Sequence, residues 1–395
     1  MLRALNSLVF LLAFGLAVAA QTNNLGTVEL QTDLKTKSVQ IAGSPELVGL
    51  ASTAFRTHGA FRVVGSGAAY KVDFSAAGGN EVRVDITTGN PPHTVFSQTT
   101  AGANMRNALL RAADLAVEQL TGLKGYFAGK LAFISDRTGH SEVYTSDLFF
   151  GEVSQITRDR ADALAPRWSP EGGRIIYTSF FRGGTPDIYI IDTRSGVRTT
   201  FASFKGTNSG AHFSPDGSQV AAVLSAGGNQ EVFVGQPAGR GFRRLTNSPS
   251  VKASPVWSPD GSRLLFTCDR DGRAQLFLMS AAGGTMSRVP TSISGYCAEP
   301  DWSTAKPSLI AFTAAQGAAF EVAIYDVNAG THRFVTKGPG DGIEPCWLAD
   351  GRHLIYTARS AGTRRLMIVD TETGKTTALS ASGAGQVSQA NYWKR

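Results

Sequence analysis

The 395-residue chain has few charged residues, and those that it has are dispersed. Asp, Glu, Lys and Arg make up 17% of the sequence, and 38 basic against 31 acidic side chains give a formal net charge of +7. No run of basic residues exceeds two, as at Arg243-Arg244 and Arg364-Arg365. Nucleic-acid binding requires a concentrated basic stripe with aromatic platforms, so the sequence predicts no nucleic-acid partner.

Motifs typical of metal centres and hydrolases are also absent from the sequence. The six histidines show no HxxxH spacing, no GxSxG segment occurs, and the three cysteines form no CxxC pair. We therefore expect no metal, no cofactor and no catalytic residues. An odd number of cysteines allows at most one internal disulfide, and we interpret Cys268, Cys297 and Cys346 as buried free thiols.

Long apolar runs are limited to the first twenty residues. Arg3 precedes an apolar stretch over residues 8–18, and the small residues Ala19 and Ala20 follow it. This is the pattern of a secretory signal peptide over residues 1–20, so we expect export and no transmembrane segment after cleavage. A membrane anchor is the weaker interpretation, because the stretch is about half the length that spans a bilayer.

Glycine and proline, by contrast, are plentiful, and many of them belong to a repeat. The chain has 44 Gly and 16 Pro. Segments similar to Pro-x-Trp-Ser-Pro-Asp-Gly recur with intervals of 45, 44, 45, 45 and 46 residues between their aromatic residues. Such regular spacing indicates a repeat architecture. The aromatic residues, called the blade anchors below, are Trp168, Phe213, Trp257, Trp302, Trp347 and Trp393.

Each repeat predicts four short antiparallel strands. Ser-Pro-Asp-Gly is typical of a type I turn, and a β-rich run such as residues 263–267 follows it. A Gly-containing turn, a second strand such as residues 365–369, and a weaker strand complete the unit. Four short strands in about 45 residues are the pattern of a propeller blade.

The two ends of the repeat region predict how the ring closes. Residues 130–144 form a unit without its Trp strand, and residues 389–393 form a Trp strand without a following unit. Pairing the two closes a six-bladed β-propeller over residues 125–395 and removes its open edges. Each Pro-x-Trp strand is then the innermost strand of its blade, and the blade anchors pack between blades.

Residues 21–124 lack the repeat and predict a small α/β domain, so the fold class is α+β. One helix is expected from Ser44-Pro45, with Ser44 as N-cap, to Gly59, and a second over residues 103–120. The expected strands cover residues 61–64, 70–74, 81–86 and 93–99.

The combination of an exported α/β domain, a Leu120-Thr-Gly-Leu-Lys-Gly-Tyr-Phe127 junction and six such blades resembles the TolB family. The resemblance covers essentially the whole mature chain and is strong again in residues 202–217 and 385–393. Two repeats depart from the motif, because Phe213 replaces Trp and Trp302-Ser-Thr-Ala-Lys306 lacks the Asp-Gly turn.

The resemblance implies a non-enzymatic scaffold in the periplasm that belongs to the Tol–Pal system. Such a scaffold maintains outer-membrane integrity and supports envelope constriction at cell division. The resemblance also implies that a Pal-like peptidoglycan-associated lipoprotein binds at the mouth of the propeller channel. The N-terminal segment would contact an inner-membrane Tol component.

The positions that match the family's partner site are the loops that lead into each Trp strand. Glu299 and Glu344 each lie three residues before a Trp. They form either a polar ring that accepts the partner or caps for backbone N–H groups where the chain crosses between blades. The full set of candidate partner-binding residues is Asp162, Thr207, Asn208, His212, Lys252, Glu299, Asp341 and Glu344.

An enzyme is the alternative from a different class of function. Exported propeller enzymes of the lactonase, lyase or hydrolase type place acids and histidines in the channel. This alternative predicts a deep channel cavity lined by acids and His with perturbed pKa values. A channel lined by backbone and small residues alone would argue against it.

Overall fold

A computed structural model describes residues 36–379 and 383–394, in which a small α/β unit precedes a six-bladed β-propeller. This arrangement confirms the predicted fold class. The predicted signal peptide and residues 21–35 lie outside the described residues. None of the helices within the described part of the chain is long and apolar enough to cross a membrane.

The α/β unit is a five-stranded sheet covered on one face by two helices. Its sheet order is β2-β1-β3-β4-β5, with β1 parallel to both of its neighbours. Alternate residues of β3 and β4 are buried beneath the helices, as expected for a sheet with one solvated face. The elements are β1 (Lys37–Gly43), α1 (Pro45–Thr57), β2 (Phe61–Val63), β3 (Tyr70–Gly78), β4 (Glu81–Thr88), β5 (His93–Ala101) and α2 (Met105–Thr121).

Both expected helices form, with differences at their N-termini. Ser44 precedes α1, but its side chain makes no capping hydrogen bond, and Pro45 begins the helix. The side chain of Asn104, which precedes α2, accepts a hydrogen bond from the backbone N–H of Asn107 at 2.8 Å. Gly122 ends α2 in the left-handed conformation at φ 73°, which a glycine adopts without steric cost.

The first three blades follow the predicted pattern of four antiparallel strands, with the Trp-type strand at the inner edge of each sheet. Blade 1 contains β9 (Ala163–Trp168), β10 (Arg174–Ser179), β11 (Asp187–Asp192) and β12 (Arg198–Ala202). Blade 2 contains β13 (Asn208–Phe213), β14 (Val220–Leu224), β15 (Glu231–Gln236) and β16 (Arg240–Arg244). Blade 3 contains β17 (Lys252–Trp257), β18 (Arg263–Cys268), β19 (Gln275–Ser280) and β20 (Ser287–Arg288).

The other three blades repeat this arrangement, and the last of them closes the ring. Blade 4 contains β21 (Cys297–Trp302), β22 (Leu309–Gln316), β23 (Ala319–Asp326) and β24 (Thr331–Phe334). Blade 5 contains β25 (Asp341–Trp347), β26 (His353–Ser360), β27 (Thr363–Asp370) and β28 (Thr376–Ala378). Blade 6 combines β29 (Val387–Trp393) with β6 (Lys130–Ser135), β7 (Glu142–Asp147) and β8 (Ser154–Gln155).

Ring closure occurs by the predicted pairing of the last strand with the first strand of the propeller. Strand β29 runs antiparallel to β6, with Val387 opposite Ser135 and Trp393 opposite Lys130. The ring therefore has no open inner strand. Cys268, Cys297 and Cys346 are free and buried, as expected from their number and spacing.

The first five blade anchors are buried, and the sixth position is held by a different, half-buried residue from the one expected. Tyr392 lies opposite Leu131, whereas Trp168 lies opposite the corresponding Ile175 of blade 1. Tyr392 is thus the equivalent of the other anchors, and Trp393 lies one residue beyond. Trp393 instead packs beside Trp168, with ring centroids 6.3 Å apart, and donates its Nε1–H to the Pro170 carbonyl at 2.9 Å.

The α/β unit packs against blades 5 and 6 through a continuous hydrophobic core. Leu109 and Leu110 of α2 share this core with Phe133 of blade 6 and Ile355 of blade 5. The contact lies towards the end of the ring where the inner strands finish. There the Lys394 ammonium contacts the buried Asp114 carboxylate at 2.7 Å.

Candidate partner-binding channel

The six inner strands line the channel and share a backbone irregularity at the same position. One residue in each strand has a left-handed φ between 49° and 63°, and the register of the inner pair shifts around it. Five of the six are not glycine, so this strained conformation is concentrated at the channel wall. The six residues are Ala165, Gly210, Ser254, Glu299, Glu344 and Gln389.

A cavity of about 290 Å³ occupies the channel end where the blade anchors lie. Five of the six residues that immediately precede the anchor positions line this cavity, namely His212, Val256, Asp301, Cys346 and Asn391. The sixth is Arg167, whose guanidinium lies 3.6 Å from the Asp301 carboxylate. These two residues come from blades 1 and 4, which are opposite in a six-bladed ring, so this ion pair crosses the channel.

The electrostatics of the channel interior follow from burial and from the Arg167 charge. Burial raises the pKa of Asp301 to about 6 even though Arg167 lowers it. Burial, assisted by the charge of Arg167, lowers the pKa of His212 to about 3. His212 is therefore neutral near pH 7, and its buried Nδ1 has no hydrogen-bond partner among the described residues.

Glu299 and Glu344 form links between neighbouring inner strands. The Glu299 carboxylate accepts the Glu344 backbone N–H at 3.2 Å, and the Glu344 carboxylate accepts the Gln389 N–H at 3.1 Å. Gln389 continues the pattern, because its Oε1 accepts the Ala165 N–H at 2.7 Å. Thr313 also donates its hydroxyl to Glu299 at 2.7 Å. This geometry favours the capping interpretation of the two glutamates.

The remaining candidate residues differ in what they present to solvent. Asp162 is exposed and Thr207 is half-buried, whereas Asp341 forms an ion pair with Arg359 at 2.8 Å. Asn208 is fully buried and bonds backbone groups of the preceding loop. Lys252 is 1% exposed and contacts the buried Glu231 carboxylate at 2.8 Å. Asn208 and Lys252 therefore stabilise the fold and do not face a partner.

Replacing Glu299 with glutamine is expected to reduce the pH dependence of stability. Burial and the neighbouring Glu344 raise the pKa of Glu299 to about 7, so the folded protein holds this proton after the unfolded chain has lost it. Its contribution to stability is thus lost as the pH rises from about 4.5 to about 7. Between about pH 5 and about pH 8, the variant should lose less stability than the unaltered protein, by up to about 3 kcal/mol.

Urea unfolding over that pH range measures this effect. The matched control is Glu171→Gln, because Glu171 is exposed and the pKa of its carboxylate is lowered. Glutamine should fit at position 299, since Gln389 occupies the equivalent position in blade 6. Equal pH slopes for Glu299→Gln and the unaltered protein would contradict the prediction.

Among the described residues, one group has the proximity of metal ligands. Ligand atoms of His58, Asp350 and His353 all lie within 4.8 Å of one another where the α/β unit meets blade 5. The nitrogens of His353 already contact Asp350 at 2.5 Å and Asp370 at 3.2 Å. His58 Nδ1 accepts the Ala60 N–H at 3.2 Å, which leaves the proton on Nε2. The geometry is that of a hydrogen-bonded cluster that joins two parts of the fold.

Sequence reasoning missed the channel residues Arg167, Asp301, Cys346 and Asn391. The sequence did contain a signal for them, because each lies immediately before an anchor position. Arg167, Asp301 and Cys346 are the middle residues of Pro-x-Trp segments, and Asn391 precedes Tyr392. In a strand, that residue faces away from its Trp neighbour. When the Trp side chain packs between blades, the preceding side chain faces the channel.

Comparison with known proteins identifies the family to which the chain belongs. The family model described as the TolB beta propeller domain matches residues 117–394. The chain belongs to the TolB beta-propeller family. The crystal structure of TolB from Acinetobacter baumannii superimposes with a TM-score of 0.80, covering 90% of this chain and 96% of that chain at 23% identity. This second similarity concerns the fold.

Curated relatives are similar over parts of their length. The Tol-Pal system protein TolB of Gluconobacter oxydans is 34% identical over 306 residues, which are 75% of this chain and 66% of the relative. The protein of the same name from Desulfosudis oleivorans is 35% identical over 145 residues, 37% of this chain and 33% of the relative. The chain thus spans about one third to two thirds of these TolB relatives.

Proposed function

We propose that this protein is a periplasmic scaffold of a Tol–Pal system and binds a Pal-like lipoprotein at the channel mouth. The observation that carries the proposal is the family match over residues 117–394, which covers the whole propeller. Relatives similar to this chain carry the name Tol-Pal system protein TolB. The role that follows is to maintain outer-membrane integrity and support envelope constriction, with the N-terminal segment contacting an inner-membrane Tol component.

The position of the α/β unit supports one of the two mouths as the binding face. The unit contacts Leu348, which follows an inner strand, and Lys394, at the chain's C-terminal end. The loops that precede the inner strands lie at the opposite end of the ring. There, Asp162 is exposed, and the Tyr296 and Phe320 rings pack at 5.2 Å beside the Asp341–Arg359 pair. A rigid mouth with aromatic and charged groups suits a protein partner.

A charge-reversal pair of variants tests this assignment. The variants are Asp162→Lys and Glu171→Lys. Asp162 lies immediately before inner strand β9, and Glu171 lies in the turn just after the same strand, at the other end of the channel. Both change the charge by two units on exposed positions of blade 1. With the purified periplasmic domain of the organism's own Pal-like lipoprotein, calorimetric titration should show about tenfold weaker binding for Asp162→Lys alone.

Two outcomes would contradict the proposal. Absence of any binding by the unaltered protein would reject the Pal-like partner. Equal binding by Asp162→Lys, together with weaker binding by Glu171→Lys, would move the interface to the opposite end. Unfolding midpoints of both variants should match the unaltered protein, which separates a binding effect from a folding effect.

A channel enzyme is the second candidate, because the channel meets one geometric condition for it. His212 and Asp301 line the same cavity, and burial shifts the pKa of each towards the neutral form. The Asp301 oxygens, however, already contact Arg167 and the Trp347 N–H. His212→Ala separates the two functions, since a scaffold should retain full partner binding without this side chain. Turnover of a sugar acid or lactone that disappears in His212→Ala would support the enzyme.

A further inference from the structure

Two exposed phenylalanines lie at the same end of blade 1. Phe181 is 44% exposed and lies in the loop between β10 and β11, and Phe204 is 38% exposed and lies in the loop that leads into inner strand β13. Both loops lie at the end of the ring where the inner strands begin, which is the mouth assigned above to the partner. Single exposed apolar residues are common on protein surfaces, so exposure alone does not explain these two rings.

The repeat shows that the propeller fold does not require an aromatic residue at either position. Phe181 lies six residues after Ile175, which pairs with the anchor of its blade, and the equivalent residues of the other blades are Ala226, Arg270, Gln316, Ser360 and Arg137. Phe204 lies nine residues before its anchor, where the other blades have Asp159, Ser248, Ile293, Gly338 and Gly383. Both rings are therefore specific to this end of blade 1, and blade packing does not account for them.

The buried Asn208 joins the two loops to each other. Its side-chain amide donates to the carbonyls of Pro186 at 3.0 Å and Phe204 at 2.7 Å, and its Oδ1 accepts the Phe204 N–H at 3.1 Å. Pro186 is the last residue of the loop that contains Phe181. That loop is also joined to the mouth, because the Phe180 N–H donates to the Asp162 carbonyl at 3.0 Å. The two rings thus belong to one connected surface that includes Asp162.

Each ring is held against a neighbouring side chain while it stays partly exposed. The guanidinium carbon of Arg198 lies 4.2 Å from the centroid of the Phe181 ring, and Asp159 accepts a bond from Arg198 Nη2 at 3.0 Å. The Phe204 ring packs edge-on against Phe242, with centroids 5.2 Å apart. Aromatic rings that are already held in place lose little conformational entropy when a partner covers them.

The charges beside the two rings have both signs. The exposed cations Arg182 and Lys205 each follow one of the phenylalanines in the sequence. Asp162 is exposed on the channel side, although one of its carboxylate oxygens accepts the Ser141 N–H at 3.1 Å. A partner that fits this surface presents apolar groups opposite the rings, carboxylates opposite the two cations and a basic group opposite Asp162. This pattern agrees with the weaker binding expected for Asp162→Lys.

We infer that Phe181 and Phe204 anchor the Pal-like partner on blade 1, each ring filling an apolar site on the partner's surface. The inference rests on the function proposed above and adds to it the two residues that supply most of the affinity. Aromatic residues that become fully covered dominate the affinity of protein interfaces. The charged groups around them contribute more to orientation and to the rate of association.

Calorimetric titration with the purified periplasmic domain of the organism's own Pal-like lipoprotein tests the inference. Phe181→Ala and Phe204→Ala should each weaken binding by about thirtyfold, the effect of removing an interface anchor. Leucine at either position should weaken binding less, because it keeps part of the apolar area. The matched control is Val197→Ala, because Val197 is 61% exposed in the turn between β11 and β12, at the opposite end of blade 1. This control should bind like the unaltered protein.

Three outcomes would overturn the inference, and they are distinguishable from one another. Unchanged affinity of both alanine variants, with binding by the unaltered protein, overturns it and leaves the proposed function in place. Absence of binding by the unaltered protein rejects the partner and the inference together. In sedimentation velocity runs without the partner, dimers that Phe181→Ala dissociates would assign the rings to a second copy of this chain. Unfolding midpoints that match the unaltered protein show that each variant is folded.

Discussion

Replacing Asp370 with asparagine is expected to lower the free energy of unfolding by about 3–5 kcal/mol, because the buried Arg352 guanidinium loses its buried partner and keeps only the exposed Glu372 carboxylate. Asp370 is fully buried and accepts two bonds from the Arg352 guanidinium, at 3.0 Å from Nε and 2.7 Å from Nη2. His353 Nε2 lies 3.2 Å from the same carboxylate. The effect should appear in urea unfolding near pH 7.

The neighbours of Asp370 in this buried cluster favour its ionised form. Burial lowers the pKa of His353, but Asp350 and Asp370 outweigh that effect, so its pKa is raised overall. Burial raises the pKa of Asp370, but His353 and Arg352 hold it well below its usual range. The Arg352 guanidinium thus faces the Asp370 carboxylate, and its Nη1 also contacts the exposed Glu372 carboxylate at 2.7 Å. Burial and the adjacent His353 lower the pKa of His58 well below its usual value, so His58 adds no charge.

The repeat supplies a matched control for this substitution. Asp192 occupies the same position of blade 1, and its carboxylate also accepts two N–H groups of the following turn. Asp192 is only half-buried and contacts no cation among the described residues. Asparagine preserves the turn bonds at both positions, so Asp192→Asn should leave stability nearly unchanged. Similar losses for both variants would attribute the effect to the turn and contradict the role of the buried charges.

Most of the ring could be predicted from the sequence because its information is local and repeated. A turn motif, a β-rich run and an anchor recur about every 45 residues, and each copy supports the others. Closure followed from the incomplete units at the two ends. Strand β1 was not predicted, because its parallel partners lie far along the chain. Lys37 pairs with Phe61, 24 residues later, and Val39 pairs with Tyr70, 31 residues later. Its sequence, Lys-Ser-Val-Gln-Ile-Ala-Gly, also carries no turn signal.

The site was less predictable because it depends on contacts between residues distant in sequence. Lys252 lies in a loop pattern typical of a polar mouth, but Glu231 in the preceding blade holds it inside the fold. The Arg167–Asp301 pair joins opposite blades, a contact that no local pattern encodes. The sixth anchor shifted from Trp393 to Tyr392, because spacing alone does not locate the bulge at Gln389.

Strand β29 makes contacts with three separate parts of the fold. It forms the inner strand of blade 6, opposite β6. Gln389 joins the inner strands of blades 5 and 1 through its bonds to Glu344 and Ala165. Tyr392 donates its hydroxyl to the Tyr126 carbonyl at 2.7 Å, which ties the ring to the junction with the α/β unit.

Deleting residues 387–395 is therefore expected to abolish cooperative unfolding. The free energy of unfolding should fall by more than about 5 kcal/mol, which is the lower end of a domain's total stability. Blade 6 would lose its inner strand and expose the paired edge of β6. Circular dichroism during urea titration measures the transition. A peptide of residues 383–395 added in trans should restore it, whereas the same peptide with Gln389→Pro should not, because proline lacks the N–H and cannot adopt a positive φ. A cooperative transition at the original midpoint in the shortened chain would show that ring closure is dispensable.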